Sequence, residues 1–199
     1  MKLVVVSVAL AALTLSGCSL GGRQADPSSS GPTAAPSVTP APTTSLQDLA
    51  SQQALTAIPI YLATVDKIAT DPTVPLNTLY AVAASPEVLI DLKTHGVSRS
   101  LGFRQSGSTK VVSSRAMSVD LTSHPGAQPH PTFPTVTTLT CIDVSTVLVL
   151  DSRGIRVGVA HRANYFIEHI TVSNLHYPSA TGWRVSIITN RAVPSCEGA

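Results

Sequence analysis

The spacing of apolar residues predicts that the first part of the folded region is helical. Beyond Ser45, apolar side chains recur at intervals of three and four, at Leu55, Ile58, Leu62, Val65 and Ala69. This spacing places them on one face of a helix. Ser45 and Asp48 form a capping box at its start, and Asp71-Pro72 ends it. Because Pro59 removes a backbone donor, we expect a kink or a break near residues 56–58.

Two shorter helices are expected next. Residues 75–84 carry apolar side chains at helical spacing. Ser85-Pro86-Glu87 then supplies a cap, a proline at the first helical position and an acid in the first turn. The apolar stripe of this second helix consists of Val88, Leu89 and Leu92. We expect Gly96 to cap its C-terminal end.

Beyond Gly96 the apolar period shifts to two, which is typical of β-strands. The predicted strands are a short one through Leu101 and Phe103, and longer ones over 110–121, 135–150, 163–175 and 183–193. Asp151–Gly154 supplies a turn, and the proline-rich residues 123–134 predict a loop. Helices followed by antiparallel strands indicate one α+β domain over residues 45–199, with the N-terminal helices packed on a curved antiparallel sheet.

The region before this domain has a different composition. Residues 18–44 contain five prolines, with Ser, Thr, Gly and Ala at most other positions. Such a segment cannot bury enough apolar surface to offset its ordering entropy, so we expect a disordered tether. As a random coil it would reach roughly 25–30 Å.

The first 17 residues have the layout of a secretory signal. Lys2 precedes an apolar stretch from Leu3 to Leu15, which is shorter than the roughly twenty residues needed to span a bilayer. The run Leu15-Ser16-Gly17-Cys18 resembles the lipobox of bacterial lipoproteins. The resemblance implies that residues 1–17 are removed and that Cys18 carries the acyl chains. It also places the mature chain as a lipid-anchored protein at the extracytoplasmic face of the cell membrane.

Charge and cysteine content narrow the possible partners. Beyond the signal, twelve Lys and Arg residues face eleven Asp and Glu residues, and no basic run is present, so nucleic acid binding is disfavoured. With Cys18 assigned to lipid, Cys141 and Cys196 form an even pair in an oxidising compartment. A disulfide between them is expected, and two buried free thiols are the alternative.

Several segments carry a wider family resemblance. These are Asp71–Ala83, Gly102–Gly107, Cys141–Ser145 and Trp183-Arg184-Val185. Over most of residues 50–196 the chain resembles the cystatin-like cone of the nuclear-transport-factor-2-like superfamily. More narrowly, it is similar to lipoproteins of actinobacteria and their phages. The resemblance implies a pocket on the concave side of the sheet, used for catalysis by an Asp/His pair in some members and for binding in others. It also implies the pairing of Cys141 with Cys196.

Three side chains are candidates for such a pocket: Asp66 on the long helix, Asp143 after Cys141, and His169 in a strand. The alternative is structural, with His169 hydrogen-bonded in its strand and both aspartates paired with basic neighbours. The histidine spacings match no metal site, and no Gly-rich phosphate loop or Cys-x-x-Cys is present, so no metal and no cofactor are expected.

Two classes of function follow from these observations. The first is a non-enzymatic envelope lipoprotein that binds an envelope protein or a small apolar ligand, with phage superinfection exclusion as one version of it. The second is a small pocket enzyme of the isomerase or dehydratase kind. The second class requires a carboxyl or imidazole with a perturbed pKa inside a pocket.

Overall fold

The computed structural model describes residues 44–158 and 162–197, so the predictions for the signal, for Cys18 and for nearly all of the tether lie outside the described residues. The helices are α1 (Leu46–Thr70), a short 3-10 helix (Leu76–Ala81), α2 (Glu87–Ser100) and a second 3-10 helix (Ala180–Gly182). The strands are β1 (Arg104–Ser106), β2 (Lys110–Asp120), β3 (Thr135–Asp143), β4 (Leu148–Leu150), β5 (Arg156–Val157), β6 (Tyr165–Asn174) and β7 (Trp183–Val193). Within these residues, no helix has the length and apolarity needed to cross a membrane.

Two antiparallel sheets form, and helices pack against them. The larger sheet has the strand order β2-β3-β6-β7, and the smaller one has the order β1-β4-β5. Helix α1 contacts all four strands of the larger sheet, and α2 contacts β7. The core lies between them and includes Ile58, Leu79, Ile170, Val172 and Val185. The predicted α+β class, with N-terminal helices on antiparallel strands, is confirmed.

Helix α1 begins as the sequence predicts but does not break. The Ser45 hydroxyl accepts a hydrogen bond from the Asp48 backbone N–H at 3.1 Å and donates to the Asp48 carboxylate at 2.7 Å. The helix continues without interruption past Pro59, so of the expected kink or break near residues 56–58 the break does not occur, and the kink stays a prediction. Pro59 lies on the exposed side of the helix, where water can hydrate the carbonyl that loses its donor.

Helix α2 differs from expectation in its length and in its buried face. It passes Gly96 and ends at Ser100, and Gly102 takes the left-handed conformation (φ 71°) just beyond it. Arg99 in this last turn donates from Nη2 to the carbonyl oxygens of Ile68 and Val74, which ties the extra turn to the end of α1. Val88 is buried and Leu92 packs against the core as expected, but Leu89 is 56% exposed, and the acidic Glu87 and Asp91 are buried on the same side of the helix.

The predicted alternation of apolar and polar side chains does not hold along the whole of strand β2. Its pairing with β3 is shifted between Val111 and Ser113 and again between Ala116 and Ser118. Each shift moves the following side chains to the other face of the sheet. Met117 is therefore exposed, whereas Ala116 packs against the core. The long apolar run expected over 135–150 is divided into β3 and β4 by a turn.

The predicted disulfide is confirmed. Cys141 in β3 and Cys196 beyond β7 are bonded, with their Cα atoms 5.8 Å apart and a separation of 55 positions in the sequence. The bond ties the C-terminal end of the domain to one of the two central strands of the larger sheet. In the chain-entropy model, closing a loop of this length stabilises the fold by about 4 kcal/mol.

Candidate functional site

Four ionisable side chains are buried together where the two helices pack on the larger sheet. They are Tyr61 of α1, Glu87 and Asp91 of α2, and Glu168 of β6. All four are less than a tenth exposed, and Glu168 is 6% exposed. We call this group the acidic cluster.

The spacing of these residues along the chain places them on shared faces of their helix and strand. Glu87 and Asp91 are four residues apart on α2, so they share one helix face. Glu168 alternates with Ile170 and Val172 along β6, and all three point from the sheet toward the helices. The inner face of α2 continues through His95 and Arg99, again at intervals of four.

Hydrogen bonds satisfy only part of the acidic cluster. The Tyr61 hydroxyl donates to Asp91 Oδ2 at 2.8 Å, and the Ile188 backbone N–H of β7 donates to Glu87 Oε2 at 3.0 Å. Glu168 Oε2 is buried and has no partner. In the part of the chain that the structure describes, the single ion pair joins Arg153 to Asp151. The acidic cluster therefore has no contacting cation.

Burial without a cation favours the protonated forms of these groups. Burial raises the pKa of Glu168 to about 7, and the charge of Glu87 adds to this effect. Burial and the neighbouring Asp91 raise the pKa of Glu87, despite the Ile188 bond. Burial also raises the pKa of Asp91, against the opposing effects of the Tyr61 bond and His95. Glu168 is thus able to hold and release a proton near neutral pH.

Asp66, the first of the predicted pocket residues, has a structural role. It is buried on α1, where Oδ2 accepts from the Thr109 backbone N–H at 2.6 Å. Its Oδ1 accepts from Gln105 Nε2 at 2.6 Å and from the Thr109 hydroxyl at 3.0 Å. The bonds fasten the segment between β1 and β2 to the helix. Its partners are neutral donors and not the basic neighbours that the structural alternative proposed.

Asp143 and His169 lie elsewhere. Asp143 ends β3, where its Oδ1 accepts from the Ser145 backbone N–H at 2.7 Å. Hydrogen bonds from Ser145 lower the pKa of Asp143, and the nearby Lys110, its partner in the β2–β3 register, lowers it further. His169 is exposed on the face of β6 opposite Glu168. No hydrogen bond joins any two of Asp66, Asp143 and His169, and His169 faces away from the helix that carries Asp66.

Sequence reasoning missed the acidic cluster, although one signal pointed to it. Glu87, Asp91, His95 and Arg99 follow one another at intervals of four along one helix. Such a row of ionisable residues places a continuous polar stripe beside the apolar one. The expectation that the apolar stripe would be the buried face hid this second pattern.

A separate cleft opens near the end of that polar stripe. It has a volume of about 110 Å³ and lies between the C-terminal ends of α1 and α2 and the beginning of the smaller sheet. Its polar lining consists of His95, Ser98, Arg99, Arg104 and Gln105. Glu168 does not line this cleft.

Comparisons with known proteins found little. No protein-family model matches the sequence, and no curated protein matches it. Among solved structures, the chain is similar to the crystal structure of the intermembrane space region of the chloroplast protein ARC6. The TM-score is 0.47 and the sequence identity is 12%, over 72% of this chain and 97% of that one.

Proposed function

We propose that this chain is an extracytoplasmic lipoprotein that acts as a binding module without chemistry of its own. Lipid on Cys18 would hold it at the cell membrane, and residues 18–44 would serve as the tether. The main support is the disulfide. The chain has three cysteines, and the bond between Cys141 and Cys196 leaves Cys18 as the one thiol available for acylation. Structural disulfides also persist in oxidising compartments outside the cytoplasm.

The arrangement of the acidic residues supports binding over catalysis. Asp66 and Asp143 are engaged by backbone and side-chain donors that shape the fold. The acidic cluster is enclosed between the helices and the sheet, and each of its side chains is less than a tenth exposed. The partner classes that remain are an envelope protein and a small ligand.

Metabolic labelling tests the anchoring directly. The full-length chain is expressed in a bacterium that processes lipoproteins, together with an alkyne-bearing palmitate analogue. The wild-type chain should carry the label and sediment with membranes, and Cys18→Ser should lose both properties. Ser19→Ala, one residue further along, is the matched control and should keep the label. An unlabelled wild-type chain in the soluble fraction would refute the proposal.

An acid–base enzyme is the second candidate, and Glu168 is the observation that favours it. A buried carboxyl with a pKa near 7, beside a Tyr61–Asp91 hydrogen bond, is suited to move a proton. Such an enzyme must let a substrate reach Glu168. An NMR fragment screen tests this, because substrate-like fragments should shift the Tyr61 and Glu168 signals. Hits that perturb other residues only would count against an enzyme.

A further inference from the structure

The cleft at the end of α2 is lined by two arginines and by no carboxylate. Arg99 comes from the last turn of α2, and Arg104 begins β1. Ser98 and His95 add polar groups from the helix, while Phe103 and the exposed Val149 add apolar surface. The cleft therefore joins positive charge to an apolar wall.

The two guanidinium groups have hydrogen-bonding capacity that the protein does not use. Arg99 donates from Nη2 to three backbone carbonyl oxygens, but its Nε–H group is buried and has no acceptor. Arg104 is exposed, and no residue of the described segments accepts a hydrogen bond from its guanidinium or forms an ion pair with it. Nε is closed off even from a water-sized atom, so the donors left for a ligand are the Nη1 group of Arg99, from which no described residue accepts, and the guanidinium of Arg104.

Nearby carboxylates do not fill this role because other donors occupy them. Asp71 accepts from the backbone and hydroxyl groups of Thr73. Asp66 accepts from Thr109 and from Gln105, itself a residue of the cleft wall. The positive charge of the cleft is left without a contacting anion from the described residues.

The size and charge of the cleft define the ligand class. At about 110 Å³ it is smaller than an engineered cavity of roughly 150 Å³ that accepts benzene. Burial lowers the pKa of His95, and the neighbouring Arg99 lowers it further, against the opposing effect of Asp91. His95 is therefore neutral at pH 7 and adds no charge. One of the two guanidinium groups already donates to backbone carbonyl oxygens. The donors that remain therefore suit a ligand with one negative charge better than a ligand with two.

We propose that this cleft binds a short-chain carboxylate, with the carboxylate against Arg99 and Arg104 and the alkyl end against Phe103 and Val149. Guanidinium groups match the planar geometry of a carboxylate, and the Arg99 Nη1 and Arg104 donors gain an acceptor. The proposal deepens the binding function argued above. It does not depend on the lipid anchor.

The position of His95 supplies a readout specific to this site. Its imidazole lines the cleft and has Asp91 and Arg99 as its charged neighbours. A carboxylate in the cleft would favour the protonated imidazole and raise the pKa of His95. Binding is therefore visible both in the Arg99 Nε–H signal and in the titration of His95.

The experiment is an NMR titration of the isotope-labelled full-length chain with butyrate at pH 7. We expect saturable shifts of the Arg99 Nε–H and His95 ring signals, and a higher His95 pKa in the presence of butyrate. Arg104→Gln should weaken binding roughly tenfold, the effect of losing one charge-assisted hydrogen bond. Arg115→Gln, an exposed arginine on β2, is the matched control and should bind as the wild type does.

Three outcomes would overturn the proposal. The first is an absence of NMR shifts at Arg99 and His95 at about 20 mM butyrate, a concentration far above the dissociation constant expected of a specific site. The second is equal binding of the neutral amide butyramide, which would show that charge is not recognised. The third is tighter binding of inorganic phosphate than of butyrate. If the wild-type chain binds butyrate but takes up no palmitate label, the lipid anchor is refuted and the carboxylate site is not.

Discussion

Replacing Glu168 with glutamine should change how the stability of the domain depends on pH. The rise of the Glu168 pKa from its ordinary 4.5 to about 7 means that the folded protein binds a proton more tightly than the unfolded chain does. Between these two values, folding takes up a proton, so stability falls as pH rises. The contribution is fully present below pH 4.5 and is lost as pH rises through 7.

The size of the effect follows from the same shift. At about 1.4 kcal/mol for each pH unit by which a pKa moves, ionised Glu168 costs the fold roughly 3 kcal/mol at pH 8. Glutamine is neutral throughout this range. Glu168→Gln should therefore match the wild type near pH 5 and be more stable by up to about 3 kcal/mol at pH 8, less any cost of placing the amide.

Urea unfolding at pH 5, 6, 7 and 8 measures this difference. Trp183 is the single tryptophan and is buried, so its fluorescence reports the unfolding transition. Glu197→Gln is the control, since Glu197 is exposed and should leave the pH profile unchanged. Parallel stability profiles for Glu168→Gln and the wild type from pH 5 to 8 would refute the assignment of a proton to the acidic cluster.

Three further substitutions test other parts of the fold. Cys196→Ala should destabilise the domain by about 4 kcal/mol by removing the disulfide, measured by thermal unfolding, and an unchanged melting temperature would contradict this. Gly107→Ala should destabilise the domain strongly, because φ is +81° and the added Cβ would lie 2.0 Å from a backbone oxygen. Gly126→Ala is the control and should leave stability unchanged, since nothing lies within 4 Å of its added Cβ. Thermal unfolding followed by circular dichroism compares the two variants. Asp66→Asn should cost roughly 1.5–3 kcal/mol and speed amide exchange at Thr109, and unaltered exchange would rule out the proposed fastening.

Local patterns in the sequence predict the helices and strands because local rules dominate there. The Ser45 capping box and the bounds of β7 follow from cap chemistry and alternation. The predictions failed where a distant contact decides the outcome. Helix α2 extends past Gly96 because Arg99 bonds to carbonyl oxygens about thirty residues earlier in the chain. In β2, the set of alternate side chains that faces the core changes at each shift in the pairing with β3.

The candidate sites were harder to predict than the fold. In the sequence, Glu87 fits the role of an acid in the first turn of a helix, where it stabilises the helix dipole from an exposed position. That role does not require burial. The actual partner of Glu87, the backbone N–H of Ile188, lies 101 residues further along the chain. Glu168 and His169 are adjacent, and alternation alone could not say which of them points inward. Only the packing of α1 and α2 on the sheet decides that Glu168 does.

The bond between Cys141 and Cys196 also determines what a single backbone cut would do. It encloses β4, β5, β6 and β7 in one covalent ring. A protease that cleaves anywhere inside this ring converts the chain into two polypeptides that remain joined through sulfur. The nicked protein would migrate as one species until a reductant is added, and the strands of the larger sheet could stay paired after cleavage.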